Sequence, residues 1–159
     1  MSDDIIQKAK RVLGKMGKKE LYGKHLQPFL DVLKYLTNKS EYAEDELYGW
    51  EKVVQVNLRD TENFYIKTNK PFAEHPKLVI KQGNADNPDA TIITDGDTFT
   101  GIMCGRANLF RENPDIFRIE GDDTQVYIFF MLLRLTRQEH VEQQRQAEAK
   151  RSRKKIKIE

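Results

Sequence analysis

Residues 126–135 read VYIFFMLLRL, and nine of these ten residues are apolar. As a helix, such a segment is apolar on every face. It must then be buried on all sides, or buried on one side and turned toward an apolar ligand on another. Its aromatic and β-branched residues would also suit a strand. However, no glycine or proline occurs from Asp122 to the end, and RQEHVEQQRQAEAK follows, rich in strong helix formers. The pattern therefore predicts one long helix, apolar for ten residues and polar afterwards. The apolar run is well short of the ~18 residues of a membrane span.

The rest of the chain divides into short elements. DDIIQKAKRVLGKMG places apolar residues at 5, 6, 9, 12, 13 and 16, which is helical spacing closed by Gly17. A second helix is predicted from about Gln27 to Asn38, with Phe29, Leu30, Leu33 and Leu36 as its stripe and Pro28 in its first turn. NKSEYAEDELYGW reads as an acidic connector. KVVQVNLRD and ENFYIKTN then read as two strands of a hairpin, KLVIKQ as a third and ATII as a fourth. TDGDTFTGIMCGRANLF is predicted helical, opened by a capping box of Thr94 and Asp97. DIFRIEGD is a fifth strand with Ile116 to Ile119 as its body. Asp122 caps the closing helix, with Gln125 in the reciprocal position.

Little in this chain resembles a catalytic centre. His25, His75 and His140 have no metal-ligand spacing, and Cys104 has no histidine or cysteine near it in sequence. IEGDD gathers three acids around a glycine, but a helix cap accounts for Asp122. No catalytic residue, metal or cofactor is expected. One cysteine excludes an internal disulfide and fits a reducing compartment. MSDDIIQKAK has no basic segment followed by an apolar core, so no secretory leader is expected either.

The net charge of +2 is unevenly spread: +5 over residues 1–40, −8 over 41–125 and +5 over 126–159. Two readings stand: mutual screening of solvated surfaces, or basic ends that touch an anionic surface such as a membrane. The cluster KRSRKKIKIE at 150–159 carries no interleaved aromatics, which argues against single-stranded nucleic acid.

Two stretches taken together resemble the sterol carrier protein 2 family. DATIITDGDTFTGIMCGRANLF resembles that family's strand, helix opening on acids, and Gly-Lys/Arg turn into a short helix; FRIEGDDTQVYIFFMLLRL resembles its strand, Gly-Asp pair and closing apolar helix. The resemblance runs from about Gln27 to Leu135. It implies an α+β fold: a mostly antiparallel five-stranded sheet covered by helices, enclosing an apolar tunnel that takes a lipid or fatty acyl-like ligand. In such a fold, 126–135 would pack on the sheet on one side and wall the tunnel on the other. A purely structural core helix is the alternative. Carried over by position, the wall is Phe99, Ile102, Met103, Leu109, Phe110, Phe117, Ile119, Val126, Phe129, Phe130 and Leu133. Met103 and Met131 would suit an adaptable pocket.

The chain also departs from that family. Residues 1–26 form an extra helical extension, 27–136 the sterol-carrier-like domain, and 137–159 a polar helical extension and basic tail. KIKIE is not a Ser-Lys-Leu type peroxisomal address, so a cytoplasmic location is expected. The function implied is non-catalytic binding and transfer of an apolar molecule. The rival is a scaffold, or an accessory domain of a lipid-related enzyme complex, with its tunnel filled by side chains.

Overall fold

The central strand, Val54–Leu58 (β1), explains the sheet. Its alternate residues Val54 and Val56 are fully buried and, in register, meet Ile66 and Phe64 of β2 (Phe64–Thr68) on one side. On the other side they meet Ala90 and Ile92 of β4 (Ala90–Thr94). With β3 (Leu78–Gln82) and β5 (Arg118–Gly121) at the edges, the strand order is β3-β2-β1-β4-β5. This computed structural model describes residues 2–107 and 115–158. The fold is α+β with a mixed sheet: β1 and β4 run parallel, and the other pairings are antiparallel.

The parallel pair comes from the GNADNPD segment. It crosses the polar face of the sheet and returns the chain beside β1. Gln55, buried between the two apolar valines, points to that face. Its amide donates to the Gly83 carbonyl at 3.1 Å and accepts from the Ala85 N–H at 2.8 Å. A buried amide with these partners pins the crossing segment at little desolvation cost.

The helices gather on the other face. Ser2–Gly17 (α1) buries Ala9, Val12 and Met16, and packs on α2 (Leu26–Lys39) and α4 (Gly96–Cys104). The extra N-terminal helix is thus part of the hydrophobic core. The acidic connector contains a further helix, Glu41–Leu47 (α3), capped by the Ser40 hydroxyl accepting from the Ala43 N–H at 3.2 Å. Ala43 and Leu47, four residues apart, are its buried face.

The two helix starts differ in detail from the sequence expectation. Thr94 still belongs to β4, opposite Leu58, and its hydroxyl donates to the Ile116 carbonyl at 2.8 Å. The cap of α4 is therefore Asp95, which accepts from the Thr98 N–H at 2.7 Å. Asp97 instead accepts from the Gly23 N–H at 2.6 Å, tying the α1–α2 connector to α4. At Asp123–Ile158 (α5), Asp122 is the cap, accepting from the Thr124 N–H at 3.2 Å. Gln125 reaches the Asp122 carboxylate at 3.2 Å rather than its backbone N–H, because Asp89 already takes that N–H at 2.8 Å. The same glutamine accepts from the Trp50 indole at 3.0 Å. Gly121 makes this corner feasible. Its φ is +84°, and a Cβ there would lie 2.5 Å from the Asp89 carbonyl oxygen.

Among the described residues, no helix is long and apolar enough to cross a membrane.

Candidate functional site

The all-round apolar helix resolves into distinct stripes. Val126, Phe129, Leu132, Thr136 and His140 recur at three- and four-residue spacing and are buried toward the sheet side, α2 and α3. Turned away from them on the same helix are Tyr127, Phe130, Met131, Arg134 and Val141, which border a cavity of about 1080 Å³. Across it stand Leu13 and Met16 of α1, Phe29, Val32, Leu33 and Leu36 of α2, and Ile102, Met103 and Cys104 of α4. The size is at the upper end of small-molecule sites, about 300–1,000 Å³.

The opposite wall follows from the sequence of α2. Positions 29, 32, 33 and 36 lie on one helical side, and Pro28 sits in the first turn. Phe29 meets Phe99 edge-on at 6.4 Å, and Phe99 meets Phe64 edge-on at 5.9 Å. This aromatic chain joins α2, α4 and β2 behind the cavity and holds their separation. At one end Gly105 closes α4 with φ +85°. Arg106 then reaches back, donating to the Leu21 carbonyl at 2.6 Å and the Asp97 carbonyl at 2.8 Å, with its guanidinium 4.1 Å from the centre of the Tyr22 ring. One side chain thus fixes the α1–α2 connector against the end of α4.

A polar clasp joins α5 to the α2–α3 junction. The Ser40 hydroxyl donates to Glu139, and Lys39 Nζ lies 2.6 Å from His140 Nδ1. Burial holds the His140 imidazole below its ordinary pKa, and the adjacent Lys39 lowers it further. Burial lowers Lys39 too, with Glu139 partly offsetting this. A neutral His140 therefore accepts from the Lys39 ammonium, which keeps α5 seated on the α2–α3 junction.

Of the side chains proposed from sequence, Ile102, Met103, Phe130 and Leu133 border this cavity, as does Met131. Phe99, Phe117, Val126 and Phe129 are buried and Ile119 half-buried, and none of these five borders it. They lie inward because Phe117 and Ile119 alternate toward the core, the 126/129 stripe of α5 faces the same core, and Phe99 packs between Phe29 and Phe64. Leu109 and Phe110 lie outside the described residues. Among the described residues no strand residue borders the cavity, which lies among helices. Sequence reasoning missed the α1 and α2 contributions, although the stripe of α2 was visible. It also missed the clasp, whose members are about one hundred residues apart.

No protein-family model matches the sequence, and no curated protein does either. Solved structures do. The UbiJ-SCP2 ubiquinone synthesis protein is 18% identical at a TM-score of 0.51, over 67% of this chain and 85% of that one. The inverting sec-alkylsulfatase Pisa1 from Pseudomonas sp. is 17% identical at a TM-score of 0.53, over 66% of this chain and 16% of that one. Sterol carrier protein 2 from Yarrowia lipolytica is 17% identical at a TM-score of 0.45, over 67% and 87%. At these identities the likeness concerns backbone architecture, and the chain has a fold of the sterol carrier protein 2 type.

Proposed function

We propose that this protein binds a lipid or other apolar small molecule, without catalysis, in the cavity among α1, α2, α4 and α5, and transfers it within the cytoplasm. The observation that carries this reading is the second stripe of α5. Phe130 and Leu133 pack against the core on one side and border the cavity on the other, and Met131, which also borders it, is 48% exposed. Contiguous apolar surface left uncovered in this way marks a binding site. Met103 and Met131 give the wall the adaptability that a family of chain-like ligands requires. In this reading residues 27–136 are the carrier unit, while 1–26 and 137–159 are helical extensions. The first extension adds Leu13 and Met16 to the wall. The basic ends make transient contact with anionic membranes during loading.

A second reading is an accessory subunit that presents an apolar substrate to a partner enzyme. It draws on the largely exposed polar stretch of α5 from Val141 to Arg153, which contributes little to the core, and on the description of one structural neighbour as a ubiquinone synthesis protein. Native mass spectrometry of the purified protein, with titration of a fluorescent fatty acid, tests the shared claim. Co-purified apolar mass and saturable micromolar binding are expected. Repeated absence of both refutes it.

A further inference from the structure

We infer that Arg134 and Arg137 select ligands bearing a terminal anionic group, and so make the cavity a site for single-chain acids over neutral lipids. The inference rests on the cavity being the lipid site. Its walls from α1, α2 and α4 bring no charge. Among the described residues, all the charge bordering it comes from α5: Arg134, Arg137, Arg145 and Glu142. Glu142 is engaged with Arg145 at 3.6 Å. Among the described residues, Arg134 and Arg137 have no carboxylate partner. The helix supplies none, since the positions three and four away from Arg134 are Phe130, Met131, Arg137 and Gln138, and those around Arg137 are Leu133, Arg134, His140 and Val141.

Two like charges three residues apart on one side of a helix repel slightly. Here they stand directly beyond Phe130 and Leu133, where apolar wall gives way to solvent. That is the arrangement a carboxylate-headed chain needs. The tail lies against Phe130, Leu133 and Met103, and the head lies between two guanidiniums that bind it through charge-assisted, forked hydrogen bonds. A sterol or alcohol offers the pair only a neutral hydroxyl acceptor, without charge or a forked geometry.

The test compares a fluorescent fatty acid with the corresponding alcohol, both free in solution below their aggregation limits. The wild type should bind the acid about tenfold more tightly, between the few-fold of an exposed ion pair and the larger effect of a buried one. Arg134→Gln/Arg137→Gln should abolish that preference by weakening the acid alone, while Arg134→Lys/Arg137→Lys should keep part of it. Unchanged unfolding midpoints verify that the variants fold. Equal affinity for acid and alcohol in the wild type overturns the inference and leaves the carrier reading intact. No binding of either probe overturns both. If the glutamine pair weakens sedimentation with anionic vesicles but not free-acid binding, the arginines read a membrane surface and the inference fails.

Discussion

Phe129 and Phe130 are adjacent, chemically identical and in ring contact at 5.9 Å, yet they sit on opposite sides of the functional question. Phe129 is 1% exposed and does not border the cavity. Truncating it to alanine opens a sealed void, a change that costs about 3–5 kcal/mol. For a chain of this length that corresponds to a fall in Tm of roughly 6–20 °C. Phe130 is half-buried and borders the cavity. Its truncation enlarges a space that already exists, so only the partial loss of apolar burial counts, about 1 kcal/mol. The single tryptophan, Trp50, bonds to Gln125 at the start of the same helix, so its fluorescence reports urea unfolding of both variants. Phe129→Ala should lose stability and, where still folded, retain probe affinity. Phe130→Ala should stay within about 1 kcal/mol of the parent and lose affinity for a fluorescent fatty acid several-fold. Equal, core-sized destabilisation of both variants would show the stripes to be one core, and the account of α5 would fail.

Acidification should loosen the clasp. Because His140 has a lowered pKa in the folded state, the unfolded chain takes up its proton first as pH falls below about 6.5. The contribution of this group is therefore intact above that value and lost below it. His140→Gln should flatten the difference in urea midpoint between pH 7.5 and 5.5, and an unchanged difference rejects the role. Gly121→Ala should destabilise by about 2–5 kcal/mol, from left-handed strain plus the Asp89 clash, measured by thermal melting; a neutral result contradicts the corner geometry. Deleting residues 145–159 should change Tm by less than about 2 °C and weaken sedimentation with anionic, low-salt vesicles. Tail-independent sedimentation, or a collapsed Tm, argues against a surface role for those basic residues.

The parts legible in the sequence were those written in local periodicity. The stripes of α1 and α2, the alternation of β1 and the helix-forming tail after Leu135 each specify one element without reference to another. The α3 helix was obscured because two buried apolar residues, Ala43 and Leu47, among four acids give a weak period, and its cap, Ser40, also serves a partner on α5. The parallel pairing of β1 and β4 depends on Gln55, whose role appears only when the crossing segment lies over it. The division of α5 into core and cavity stripes was the hardest to foresee. Phase separates Phe129 from Phe130 by 100°, but only the positions of α1 and α2 decide which side stays open. Arg134 is the one charged residue within 126–135, and its place at the cavity border is visible only in the fold.

Where a bound chain lies is the direct test of the central claim. A photoactivatable fatty acid, cross-linked at saturation and mapped by peptide mass spectrometry, should mark peptides containing Leu13 or Met16, Ile102 or Met103, and Phe130 or Leu133. An excess of unlabelled fatty acid should suppress the labelling. Labelling confined to the exposed part of α5 beyond residue 141, or scattered and insensitive to competitor, would contradict a cavity-bound ligand.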